Sequence, residues 1–296
     1  MESKKEIIIH ARERDLGGFS VHRSLPHSQK RSVGPFVFLD HMGPLLLDET
    51  HALDVRPHPH IGLATVTYLF DGRAFHRDSI GSKQEITPGA LNLMIAGKGI
   101  VHSERTPAED RHQLPSRSIH GVQIWLALPK DSEECEPSFT HWPKESFPTI
   151  FPAKNLSANI LLGEYNGKRS PVPTLWKTLF MDFENCADFD CELSFAEQEV
   201  AISVVSGELT VDSDQIKEND LIVVADPRTV KIKASKESRF VIIGGNPFPE
   251  PRYIWWNFVS SSKERLRRAA DDWKNQTMGQ VEGEHEFIPL PEQALP

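Results

Sequence analysis

Two short motifs carry the strongest chemical signal in the chain, His58-Pro59-His60 and His102-Ser103-Glu104. Each sets two metal-capable side chains two residues apart. Along an extended strand, alternate side chains leave the same face, roughly 6–7 Å apart. If the two motifs lie on neighbouring strands, three imidazoles and one carboxylate converge on one point and make a mononuclear metal site. Three nitrogen donors and one oxygen donor, with no thiolate, suit a divalent Fe, Mn, Co, Ni, Cu or Zn ion. On an octahedral ion, four protein ligands leave two positions for water, O2 or a chelating substrate. A closed tetrahedral zinc site is the competing arrangement. The chain holds 13 histidines, so one His-x-His pair means little alone. Its conjunction with His-x-Glu on a second β segment is what points to metal.

Local residues describe the surroundings of such a site. Gly62 follows the first motif, and Gly97 and Gly99 precede the second, where sharp bends at the mouth of a barrel would fall. Pro57 and Pro59 offer no backbone N–H to a ladder, which places the histidines on an edge strand or at a strand start.

The elements that must position these residues read as β. Apolar or alternating runs at Pro35–Leu39, Ala64–Phe70, Ala90–Ile95, Val122–Leu128, Val200–Val205, Leu221–Val224 and Phe240–Ile243 are separated by turn residues. This is the pattern of a sandwich or barrel. A weak internal repeat relates Thr65–Gly72 and Thr87–Met94 to Val200–Gly207 and Lys217–Val224, which predicts two copies of one β module. Aligning Gly72 with Gly207 sets Leu193 and Phe195 against His58 and His60. Aligning Gly89 with Asn219 sets Ile232 and Ala234 against His102 and Glu104. All four positions are apolar in the second copy, so only the first module is expected to bind metal. The proline-rich stretch near 133–152 reads as a linker. The expected organisation is therefore an N-terminal metal-binding module over 1–132, the linker, and a metal-free C-terminal module over 153–296. The latter would end in a short helix capped at Ser261 with Glu264, and an extended tail over Glu286–Pro291.

Bulk properties fit a soluble globular protein, with 39% hydrophobic and 25% charged residues over 296 positions. No apolar run is long enough to span a bilayer, and Met1–Glu6 leads into a strand-like Ile7-Ile8-Ile9, not a secretory core. Cys135, Cys186 and Cys191 have no C-x-x-C spacing and read as free thiols of a reducing cytoplasm. A net charge of −9 argues against nucleic-acid binding. The basic run Lys263–Arg268 reads as a solvated helix face.

At Val33–Pro44 the chain resembles the opening signature of the pirin family, within the cupin superfamily. Arg56–Gly62 resembles that family's first metal motif and Ala96–Glu104 its second, while Tyr253–Ser260 and Glu286–Pro291 resemble bacterial members. The resemblance covers nearly the whole chain. It implies an all-β bicupin of two tandem cupin barrels. One iron(II) would sit in the first barrel, on residues matching His58, His60, His102 and Glu104. A typical cupin carries its glutamate ligand a few residues after the second histidine; here Thr65 stands there, and Glu104 supplies the carboxylate. The resemblance further implies quercetin 2,3-dioxygenase activity, the O2-dependent opening of a flavonol's central ring with release of carbon monoxide and a depside. Glu104 would act as general base, and Gln123, on the strand His120–Trp125, would contact substrate. The other implied role is non-enzymatic, an iron-dependent regulatory contact with a protein partner. A monomer suits a chain of two barrels. His41 is expected to fix its own loop, His76 and Asp78 to lie on the surface, and His10, His22, His27, His51, His112, His141 and His285 to have no partner at ligand spacing.

Overall fold

Alternation along the strands decides which face each one buries. In Phe189–Leu193 the residues Phe189, Cys191 and Leu193 are buried while Asp190 and Glu192 are exposed. Its neighbour Val230–Ala234 buries Val230, Ile232 and Ala234 and exposes Lys231 and Lys233. The two strands pair antiparallel with Asp190 opposite Lys233 and Glu192 opposite Lys231. Opposite charges thus meet on the wet face while apolar residues fill the other. Ser238–Gly245, buried on both faces, carries the continuous apolar run Phe240–Ile243.

In a computed structural model of the chain, residues 5–16, 19–47, 52–107, 117–196, 198–292 and 294–295 are described. They form the expected all-β pair of barrels with the helix Lys263–Lys274. No helix among them is long and apolar enough to cross a membrane.

The two barrels repeat one topology. In the first, a four-stranded sheet has the order Asp54–His60, Ile100–Arg105, Ala74–Asp78, Lys83–Ile86. In the second, the order Phe189–Leu193, Val230–Ala234, Glu208–Val211, Asp214–Lys217 is its counterpart. The repeat read from the sequence holds at the level of single hydrogen bonds. Gly89 N–H donates to Leu69 O at 2.8 Å, and Asn219 N–H donates to Val204 O at 3.1 Å. Both turn residues have positive φ, 79° for Gly89 and 69° for Asn219. Leu69 and Val204 each lie three residues before their module's glycine.

The units do not follow chain order. One comprises the described residues of Met1–Glu13, His22–His41 and Pro143–Phe248; the other comprises those of Arg14–Val21, Met42–Trp142 and Pro249–Pro296. Each barrel needs a strand to close the same edge of its larger sheet. In the first barrel, Ser138–Trp142 takes that place beside Leu91–Ile95. In the second, Ile7–His10 takes it beside Asp220–Val223. The stretch 133–152, expected as a linker, therefore supplies Ser138–Trp142 to the first barrel, and Thr149–Ala153 pairs with Leu156–Leu162 in the second. Pro137, Pro143 and Pro148 flank these strands, and Pro152 lies within the second.

The C-terminal segment belongs with the first barrel. Leu266, Ala269, Ala270 and Trp273 of the helix pack with Ile61, Val101, Trp255 and Phe258. The helix is capped by Ser262, whose hydroxyl accepts from Arg265 N–H, one residue later than expected and without the glutamate partner of a capping box. Arg265 also departs from the solvated-face expectation: it is buried, with Nε donating to Glu134 and Nη2 to the Lys98 carbonyl. The tail docks as expected, with Ile288 N–H on Pro57 O at 2.8 Å and the Trp273 indole on Ile288 O at 3.0 Å. His41 fixes a different turn from its own, pairing with the Asn219 side chain at 2.7 Å.

Candidate metal centre

Asp54–His60 and Ile100–Arg105 are antiparallel neighbours, with Ile100 opposite His60 and His102 opposite His58. Asp54–His60 is the edge strand of its sheet, as its two prolines require. The register shifts between His102 and Glu104, where a bulge turns the strand. Gly62 closes the edge strand at φ 65°; a Cβ there would stand 2.0 Å from Val259 O, so glycine alone fits between the ligand strand and the C-terminal segment.

This pairing gathers His58, His60 and His102, whose candidate ligand atoms lie within 4.8 Å of one another. All three are buried. The ring of His58 lies 4.3 Å from that of His102 and 4.9 Å from that of His60, centroid to centroid. Two rings are locked from behind. His58 Nδ1 donates to Arg56 O at 2.9 Å and His60 Nδ1 to Asn257 O at 3.0 Å, which leaves each Nε2 with a free lone pair. His102 Nε2 is buried without any hydrogen-bond partner. An orphaned imidazole nitrogen beside two others with free lone pairs fits a divalent cation, which supplies the missing partner. Burial drives the His58 pKa down to about 4 and takes His60 and His102 well below 6.5, with the neighbouring imidazoles pushing the same way. The rings therefore stay neutral, the form that binds metal.

Glu104 belongs to a second, overlapping group with His76 and His102, likewise within 4.8 Å. Its Oε1 accepts from Thr67 Oγ1 at 3.0 Å. Burial raises its pKa, against the opposing effects of His76 and the Thr67 hydrogen bond. Gln123 is half-buried, with its Oε1 3.0 Å from the same Thr67 hydroxyl. Strand register extends this row: Gln123 faces Thr67, Thr67 faces Asn92, and Asn92 faces His141. The adjacent row runs Trp125, Thr65, Met94, Phe139. Its ends bracket the imidazoles, Trp125 meeting His60 edge-on at 5.1 Å and Phe139 stacking on His76 at 4.4 Å.

His76 and Asp78 overturn the surface expectation; each is only 2% exposed. Strand Ala74–Asp78 pairs with Ile100–Arg105, setting His76 opposite Glu104 and Asp78 opposite His102. Its polar face thus points into the barrel. The signal was present in the sequence, since His76-x-Asp78 has the same spacing as the two metal motifs. Asn257 acts through its backbone carbonyl and left no sequence signal. His141 pairs with Asn92 at 2.6 Å. His51 and His112 lie outside the described residues.

The second barrel is the control. Leu193, Phe195, Ile232 and Ala234, the counterparts of the four donors, are buried within one apolar cluster. Ile232 faces Cys191 rather than Leu193, two residues from the alignment and therefore on the same face. Among the described residues, both groups of potential metal donors lie in the first barrel.

The chain matches the family model described as Pirin over residues 18–126 and that described as the Pirin C-terminal cupin domain over residues 180–279. It is 42% identical over 290 residues to a pirin-like protein of Caulobacter vibrioides, covering 97% of this chain and 99% of that one. Human pirin is 29% identical over 296 residues, covering 94% and 96%. A crystal structure of quercetin 2,3-dioxygenase from Acinetobacter baumannii superimposes with a TM-score of 0.88 at 33% identity, covering 98% of this chain and 97% of that one.

Proposed function

The chain belongs to the pirin family, and from that premise we propose that it is a metal-dependent dioxygenase opening the central ring of quercetin-like flavonols with O2. One observation carries the reading: three buried neutral imidazoles converge, one with an orphaned Nε2, beside a carboxylate whose pKa burial raises. His58, His60, His102 and Glu104 are the residues that would hold the metal, with iron(II) the ion this reading takes. Bound there, the metal supplies Lewis acidity toward a substrate hydroxyl.

The remaining roles fall to the protein. Thr67 donates to Glu104 Oε1, so Oε2 is the oxygen left either for the metal or, in its other role, for the proton of the flavonol 3-hydroxyl. Gln123 shares the Thr67 hydroxyl and offers its amide N–H groups to a substrate oxygen. Trp125 and Phe139 form apolar walls that exclude water from the charge developing on substrate. The resemblance to a quercetin 2,3-dioxygenase structure at 33% identity supports the substrate class.

The test is anaerobic loading with iron(II), then quercetin and O2. Loss of the flavonol absorption band should accompany stoichiometric carbon monoxide and disappear in His58→Ala. Turnover no faster than that of the same concentration of free iron removes the enzymatic reading and leaves metal-dependent protein binding.

A further inference from the structure

Behind His102 lies a hydrogen-bond chain that the dioxygenase reading does not use. His102 Nδ1 is 3.4 Å from His76 Nδ1, and His76 Nε2 is 3.0 Å from Asp78 Oδ2. The other Asp78 oxygen, Oδ1, accepts from the backbone N–H of Ile80 at 3.1 Å and of Ser82 at 2.8 Å. All three side chains are buried, and the Phe139 ring holds His76 in plane at 17°.

We propose that Asp78 and His76 are positioning residues that fix the tautomer of His102, so that its Nε2 lone pair is aimed at the metal. The proton order follows from the acceptors. The Asp78 carboxylate only accepts, so His76 carries its proton on Nε2. His76 Nδ1 then holds a lone pair and accepts from His102 Nδ1–H. A neutral imidazole has one ring proton, so His102 Nε2 has none, and that is the atom left without a partner. His58 and His60 reach the same tautomer through backbone carbonyls. His102 reaches it through two side chains, which makes it the one candidate ligand of the three imidazoles whose tautomer a substitution elsewhere reverses.

Asp78→Asn is that substitution. The loop amides of Ile80 and Ser82 claim the asparagine oxygen, which turns its NH2 group toward His76. His76 must then accept on Nε2 and carry its proton on Nδ1. His102 in turn accepts on Nδ1 and carries its proton on Nε2, where a metal would bind. The change is isosteric and keeps both loop hydrogen bonds, so folding is preserved.

This inference rests on the metal site of the preceding reading, and two measurements separate them. Long-range 1H–15N correlation on the metal-free wild type should show His102 protonated on Nδ1; protonation on Nε2 overturns the proposal whatever the protein binds. Chelator competition with Co(II) should show Asp78→Asn binding about 10- to 100-fold more weakly, with the His102 proton moved to Nε2. Equal affinity for Co(II) with an unmoved proton also overturns it. A wild type that shows the Nδ1–H tautomer yet fails to bind Co(II) sinks the metal reading and leaves the tautomer assignment standing.

Discussion

Lowering the pH should destabilise the metal-free protein through its buried histidines, and His58 allows the size to be worked out. Its pKa is about 4 in the folded protein against 6.5 for an unperturbed imidazole. At 7% exposure the ring has little solvent to screen it. The unfolded chain takes up the His58 proton as pH falls below 6.5; the folded chain refuses it until about pH 4. The stabilising contribution is complete above 6.5 and lost across that window. The slope is about 1.4 kcal/mol per pH unit for one proton, and the full loss about 3 kcal/mol. His60 and His102 shift in the same direction, partly through their mutual charges, so their contributions do not simply add. Glu104, with its pKa raised, contributes with opposite sign, its stabilisation being lost as pH rises. The clean measurement is therefore a difference. Urea unfolding of chelator-treated wild type and His58→Gln can be followed by tryptophan fluorescence, because Trp125, Trp142, Trp255, Trp256 and Trp273 belong to the unit with the metal centre and only Trp176 to the other. Between pH 6 and 4.5 the wild type should lose stability more steeply by about 1 kcal/mol per pH unit. Parallel profiles would refute a neutral, desolvated His58.

Saturation with Co(II) at about 100 times its Kd should raise wild-type stability by about 2.7 kcal/mol; His102→Ala should abolish the rise, and a retained rise would place the ion elsewhere. Gly62→Ala forces a Cβ to within 2.0 Å of Val259 O at a φ of 65°. It should cost about 3 kcal/mol or more, seen as a lowered Tm, and a wild-type Tm would contradict the close approach. Arg105 ties Asp54 on the ligand strand to Glu284 and Glu286 of the tail. Arg105→Ala should cost about 1–2 kcal/mol and speed amide exchange around Ile288; unchanged exchange would show that the tail is held without Arg105.

What the sequence determined by itself is what depends on local period. A two-residue spacing sets His58 beside His60 and His102 beside Glu104 on any extended strand, and prolines restrict such a strand to an edge. The repeat was legible because each copy must build the same turn, with a residue of positive φ at Gly89 and at Asn219. The apolar counterparts of the donors in the second copy pointed to the apolar cluster in which they are buried. Tertiary structure decided everything that depends on which strands meet. Ile7–His10 closes the sheet through Asp220–Val223, a pairing across more than two hundred residues that no local pattern encodes. His76 and Asp78 look from the sequence like the polar face of an exposed strand. Pairing with Ile100–Arg105 and the stacked Phe139 put that face inside, where the same alternation reads as a buried hydrogen-bond chain. Period tells which side chains share a face; only long-range pairing tells whether that face meets water or a metal.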